Sequence, residues 1–135
     1  MLKGSRCELI TFDTKYDDWS IYDKIMRNCD IITIHVPLNA ESFHMIDYCS
    51  IESMKKNPYI INTSRKDIVN EEAIRWGLAN NKLRGFASDV NSEKEFINYS
   101  KTYITPHIGS STTKTLNDMS IQSLKNLVET LKLTY

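Results

Sequence analysis

The sequence predicts an α/β fold built on a parallel sheet, and three observations carry that expectation. Apolar and β-branched runs recur at residues 7–12, 31–36, 59–61, 85–90 and 102–104. Helix-like stretches separate most of them, which is the rhythm of βα alternation. The run "DIITIHV" at 30–36 is nearly continuous in apolar residues instead of alternating, as expected for a strand covered on both faces, so helices are expected on both sides of the sheet.

The helices are placed by their end signals. In "SIYDKIMRN", 20–28, Ile21, Ile25 and Met26 share a face, giving a short amphipathic helix. Ser50 before "IESMKK" serves as an N-cap without a full capping box, because the third helical position is Ser53 and not Glu. Asn70 precedes "EEAIRWGLANN", whose early glutamates suit the positive end of the helix dipole and whose Asn80 and Asn81 suit its exit. Gly77 inside that helix costs on the order of 1 kcal/mol and marks a close contact. From 112 to 133, Leu116, Met119, Leu124, Leu127, Val128 and Leu131 follow helical spacing, so the longest helix closes the sequence.

Composition bounds the partners. At 135 residues the chain has material for one core, and no linker divides it. Seventeen basic side chains balance seventeen acidic ones, which excludes field-driven binding to nucleic acid or an anionic membrane. Cys7, Cys29 and Cys49 lack CxxC spacing and sit beside apolar residues. Buried, reduced thiols in a cytoplasmic protein are therefore expected. No apolar run approaches the roughly 18 residues of a membrane span, and no leader-like segment opens the sequence.

Parallel sheets bind ligands at the carboxyl ends of their strands. Taking only those ends gives Asp13, His35 and Pro37, Thr63 to Arg65, Asp89 and His107. Two carboxylates, a guanidinium and two imidazoles would then converge on one rim. Each has a plainer reading as well: Arg65 as a surface charge, His35 as a hydrogen-bonded structural residue, Asp13 and Asp89 as caps of the following turns. His107, flanked by Pro106 and Ile108, suits acid/base work best. His44 is read as packing or solvent-facing.

Four segments, "CDIITIHVPLNAESFHMI", "INTSRKDIVNEEAI", "GFASDV" and "ITPHIGSST", occur in that order. Together they resemble the successive signatures of the D-isomer-specific 2-hydroxyacid dehydrogenases, and the last is most similar to the phosphoglycerate dehydrogenase branch. The resemblance spans residues 2–132. It implies a Rossmann-like, doubly wound parallel sheet that binds NAD, and a small 2-hydroxy or 2-oxo acid as substrate, 3-phosphoglycerate among them. By the same resemblance Arg65 holds the substrate carboxylate and carbonyl, and His107 is the acid/base. Asp13 bonds the adenosine ribose, His35 and Pro37 form the turn against the cofactor, Thr63 lies beside the nicotinamide, and Asp89 meets its carboxamide.

Three departures qualify that expectation. In "DVNSEKEF", Lys94 stands at the offset of the family's catalytic glutamate; Glu95 fits with one residue inserted, and Glu93 is the other candidate. Lys66 replaces the family's glycine after the arginine, where a left-handed residue would disfavour it. "MLKGSRCELITFDT" resembles the second family strand and what precedes it, so the first strand, the GxGxxG loop and the substrate-binding half are expected to be missing. Residues 1–135 are thus expected to form one partial NAD-binding domain, inactive on its own. The missing strand would be central. Either the 7–12 strand moves over to pair with 31–36, giving five parallel strands, or another chain fills the gap; the first is expected. Exposed edges and the long last helix point to a homodimer. The competing expectation is a non-catalytic remnant that serves as a binding or dimerisation module.

Overall fold

The computed structural model describes residues 7–91, 93–96 and 99–132. One four-stranded sheet contains β1 (Ile31–Ile34), β2 (Tyr59–Asn62), β3 (Gly85–Ser88) and β4 (Thr102–Ile104), in that spatial order and all parallel. The helices are α1 (Trp19–Asn28), α2 (Tyr48–Ser53), α3 (Glu71–Ala79), α4 (Glu93–Phe96) and α5 (Thr113–Lys132).

Register explains the core. Ile32, Ile60 and Phe86 are direct cross-strand partners, and they are buried with Ile51, Ile68, Ile74 and Leu83. The helices α1, α2 and α3 pack against one another over this face. The opposite face carries Ile31, Thr33, Tyr59 and Tyr103; Ile31 is 61% and Tyr103 73% exposed. The second covering layer expected from the apolar run of β1 is not present among the described residues. The apolar side of α5 is likewise exposed along its length.

The end signals hold with one correction. Asp18 caps α1 through the Ser20 amide, and Asn70 caps α3 through that of Ala73. For α2 the cap is Asp47 and not Ser50. Ser50 is the third residue, and its hydroxyl completes a capping box with the Asp47 amide. A serine returned the bond that the usual glutamate would make. Gly77 is a close-contact site, since a Cβ there would meet Leu83 at 3.0 Å and Ile51 at 3.1 Å.

Residues 7–12 correct the sequence reading more substantially: they form no strand and do not pair with β1. The segment is held from its end instead. The Phe12 ring meets Trp19 at 5.3 Å and Tyr22 at 5.8 Å, both on α1. The Asp13 carbonyl accepts from the amides of Tyr16 and Asp17. Aromatic contact and a turn thus fix the chain to the helix, leaving its backbone across a cavity from β1. The sheet has four strands, not five.

The cysteines are corrected too: Cys7 and Cys49 are exposed, and Cys29 is half-buried. Burial pushes the Cys29 thiol above its ordinary pKa, with smaller and opposed effects from Lys56 and Asp30. Iodoacetamide at neutral pH should therefore modify Cys7 and Cys49 before Cys29, as followed by peptide mass mapping; Cys29 reacting first would contradict this packing.

Tyr22 is half-buried, and its hydroxyl donates to the Met45 carbonyl at 2.6 Å. Burial is the chief reason its pKa is pushed up to about 12. The unfolded chain loses this proton nearer the ordinary tyrosine value, so the stabilisation is complete below that value and lost as pH rises toward 12. Urea titrations should show the stability gap between the native chain and Tyr22→Phe narrowing over that range. A gap that stays constant would remove Tyr22 from the alkaline response.

Candidate functional site at the carboxyl rim

All strands point one way, so every strand end named from the sequence opens on one rim of the sheet, with β2 and β4 two positions apart, about 10 Å at ordinary strand spacing. Asp13, outside the sheet, lines a cavity together with residues 31–36.

Beyond β1, His35 joins two threonines. Its Nε2 lies 2.9 Å from the Thr33 hydroxyl and its Nδ1 3.4 Å from that of Thr63. This ties the ends of β1 and β2 together and sets the ring's direction. The reading of His35 as a hydrogen-bonded residue at a strand end is realised. Pro37 follows, exposed, and its carbonyl accepts from Ser42 at 2.6 Å.

The turn after β2 is built by residues the sequence reading passed over. Asn62 is fully buried; its Oδ1 accepts from the Ser64 amide at 3.1 Å, and its Nδ2 donates to the Arg65 carbonyl at 2.8 Å. Ser64 reaches across to the Val36 carbonyl at 2.5 Å. The sole sequence signal was polarity at the end of an apolar strand, which also fits an ordinary turn. With this backbone fixed, Arg65 stays exposed, and its guanidinium donates to the Ser64 carbonyl at 2.8 Å. A planar fork remains at the rim, suited to a carboxylate and adjacent carbonyl.

Lys66 does not take the left-handed conformation that would make glycine necessary; it opens a 3-10 turn over Lys66–Ile68. Its ammonium pairs with Glu95 on α4 and lies 3.2 Å from Glu71. Glu95 chiefly, then Glu71, hold that ammonium above the usual lysine pKa. Glu71 Oε1 also accepts from Asn91 at 2.7 Å, and Asn91 accepts from Ser88 at 2.8 Å. Arg75 donates to the Glu95 carbonyl at 3.0 Å. The glutamate candidate is thus fixed by a network from the end of β3, the start of α3 and Lys66. Glu93 and Lys94 are exposed on the same helix.

Asp89 follows β3, half-buried, and its Oδ1 is a buried acceptor with no hydrogen-bond donor among the described residues. A buried, orphaned carboxylate oxygen at a strand end is costly unless a donor arrives. Asp13 does what its plainer reading says, accepting from the Lys15 amide at 2.9 Å, while its own amide donates to Asp17 at 2.7 Å. It remains exposed beside the cavity. His107 lies beyond β4 and is exposed; its neighbour Ile108 closes a turn on the Pro106 carbonyl at 2.9 Å.

The family model for the NAD binding domain of the D-isomer specific 2-hydroxyacid dehydrogenases matches residues 2–109. The chain belongs to this family. A glyoxylate reductase of Thermofilum pendens is 32% identical over 82% of this chain and 34% of its own length. A D-specific alpha-keto acid dehydrogenase of Enterococcus faecium is 28% identical over 95% of this chain and 47% of its own. Among solved structures, an NAD-dependent formate dehydrogenase of Staphylococcus aureus in complex with NAD superposes with TM-score 0.69 at 29% identity, over 80% of this chain and 34% of that one. The apo D-mandelate dehydrogenase of Rhodotorula graminis shares the fold, with TM-score 0.80 at 22% identity over 93% of this chain and 41% of that one. The chain therefore spans a third to a half of the length of these relatives.

NAD is the cofactor of the family. Asp89 offers a buried acceptor with no donor among the described residues, which an amide N–H of such a ligand would fit. The four glycines of residues 1–135 form no glycine-rich loop pattern.

Replacing Asn62 by Ala removes the bonds to Ser64 and Arg65 and takes its acceptor from the amide of the buried Ser64. The expected loss is about 2–4 kcal/mol in urea denaturation. A loss within the error of the titration would mean that Asn62 does not build the turn.

Proposed function

We propose that residues 1–135 are the cofactor-domain portion of an NAD-dependent D-2-hydroxyacid dehydrogenase. The carrying observation is the buried Asp89 oxygen, which has no donor among the described residues, on the rim that also holds Arg65 and the His35–Thr63 pair. NAD supplies the hydride-transfer chemistry. Arg65 holds the carboxylate and carbonyl oxygen of a small 2-hydroxy or 2-oxo acid. An imidazole nitrogen of His107 takes the hydroxyl proton on oxidation and returns it on reduction. Glu95 orients that imidazole, and Lys66 competes for the same carboxylate. His35, Pro37 and Thr63 shape the wall against the cofactor, Asp13 bonds the ribose, and Asp89 receives the carboxamide. The likeness of "ITPHIGSST" to the phosphoglycerate dehydrogenase branch supports 3-phosphoglycerate as the acid.

The sharing of Glu95 with Lys66 supports an isolated chain that does not turn over. Unpaired thiols, two of them exposed, suit the reducing cytoplasm.

A second reading, a homodimerisation module, is favoured by one specific observation. The apolar side of α5, including Leu116, Leu124 and Leu127, is exposed, as are Ile31 and Tyr103 on the open sheet face. Sedimentation should then give a dimer that Leu124→Glu converts to a monomer. A monomer at every concentration would remove this reading.

NADH titration tests the first reading. Quenching of Trp19 and Trp76 should saturate in the millimolar range. Asp89→Ala should weaken binding by about tenfold, and Arg65→Ala by no more than about twofold. No quenching at millimolar cofactor, or equal losses in both variants, would contradict the assignment.

A further inference from the structure

We infer that the amino rim of the sheet, opposite the rim that holds Arg65, is a docking surface for a short acidic segment of another protein. The segment is extended, carries aspartates or glutamates, and ends in a tyrosine.

Charge is separated between the two rims. The segments 54–58, 80–84 and 99–101, which enter β2, β3 and β4, bring Lys55, Lys56, Lys82, Arg84 and Lys101 to the amino rim and contain no carboxylate. On the other rim, the segments that leave β2 and β3 carry Asp67, Glu71, Glu72, Asp89, Glu93 and Glu95 against Arg65, Lys66 and Lys94. The equal totals of basic and acidic side chains over the whole sequence conceal this separation. Part of it answers to the helices, since α2 and α3 end at the amino rim and cations suit their negative ends. Arg84 and Lys101 stand at strand starts and have no such reason.

The cations are not used up internally. Lys56 meets Asp30 at 3.3 Å and Lys82 meets Glu52 at 2.8 Å. Lys55, Arg84 and Lys101 are exposed and meet no carboxylate among the described residues. The Arg84 guanidinium lies 5.7 Å from the Tyr59 ring centre, and the Lys101 ammonium donates to Asn81 Oδ1 at 2.8 Å. Both partners are neutral, so each cation keeps its full charge for an anion.

A cavity of about 260 Å³ adjoins Lys101, lined also by Leu78, Ala79, Asn81, Tyr99 and Ser100. Asn81 and Lys101 both take left-handed backbone, with φ of 56° and 91°. That conformation is costly for lysine. It is held by the Asn81 bond and by the Phe86 amide, which donates to the Lys101 carbonyl at 2.9 Å. Apolar and hydroxyl-bearing walls together fit a phenol ring, hence the terminal tyrosine.

A long polyanion is disfavoured as the occupant, because the acids of the carboxyl rim repel it and nucleic acids draw affinity from many phosphate contacts. The starts of β2 and β4 are two strand spacings apart, about 10 Å, which about three extended residues cross. The chain's own Tyr16, Asp17 and Asp18 are disfavoured too: Asp17 accepts from the Asp13 amide and Asp18 caps α1. The inference does not depend on the cofactor reading and is tested without NAD.

The probe is the capped peptide Tyr-Glu-Asp-Glu-Tyr, whose two tyrosines serve either chain direction, with Tyr-Gln-Asn-Gln-Tyr as neutral control. In calorimetry the acidic peptide should bind saturably at about 50 mM salt and at least about tenfold more weakly at about 500 mM, and the control should not bind. Arg84→Glu combined with Lys101→Glu should weaken binding at least about tenfold while the circular dichroism spectrum is kept, and Lys15→Glu, in the turn before α1, should leave it unchanged. Independently of any variant, the peptide should slow acetylation of Lys101 and leave Lys15 and Lys114 unaffected. Absence of binding at millimolar peptide would overturn the proposal. So would equal binding of the neutral control, a folded double variant that binds normally, or equal protection of Lys15 and Lys101. Tighter binding of single-stranded oligothymidylate would assign the rim to nucleic acid, and salt-sensitive self-association lost in the double variant would assign it to a second copy; either result overturns it equally.

Discussion

The structure depends on the parallel alignment of four short strands. The register from Ile32 through Ile60 to Phe86 stacks three large apolar side chains in one row. A slip by one residue would turn that row to the open face. The same alignment directs every strand end to one rim. Burial of the row and convergence of the polar rim are thus one constraint seen from two sides. What Arg65 does in a turn after an apolar strand follows from it: the strand carries the turn to the rim, and Asn62 and Ser64 hold its backbone so that the guanidinium can remain exposed.

The rim is fixed by buried polar side chains more than by its exposed charges. Asn62, Ser64, Ser88 and Asn91 are all buried, and each is hydrogen-bonded. These neutral groups meet their bonding needs locally, so they position the exposed residues without the cost of burying charge. Asp89 is the exception, with a buried oxygen that no described donor meets. Lys66 also gains a definite part: it draws Glu95 into a network with Glu71 instead of destabilising the backbone as a misplaced non-glycine residue would.

Much of this was legible in the sequence wherever local chemistry and tertiary packing agree. The strands at 31, 59, 85 and 102 declared themselves by apolar runs, and Asn70 and Gly77 by their places in α3. The failures share a cause. "CELITF" has the composition of a strand, but a strand exists only with a neighbour, and the Phe12 contacts with α1 hold it away from one. Asp47 escaped notice as a cap because serine, not glutamate, returned its capping bond. The supporting asparagines and serines were invisible as site residues, since their types also fill ordinary turns. Cys7 and Cys49 are exposed because their apolar neighbours are exposed as well, among them Leu9 and Tyr48.

Convergence of the rim is the claim from which the functional reading starts, and a distance tests it most directly. Spin labels placed at residues 65 and 107, in a chain whose three cysteines are replaced by serine, should lie within about 20 Å of each other, given strand ends two positions apart. A sharp distribution beyond about 35 Å would place the guanidinium and imidazole at different ends of the molecule and contradict the account.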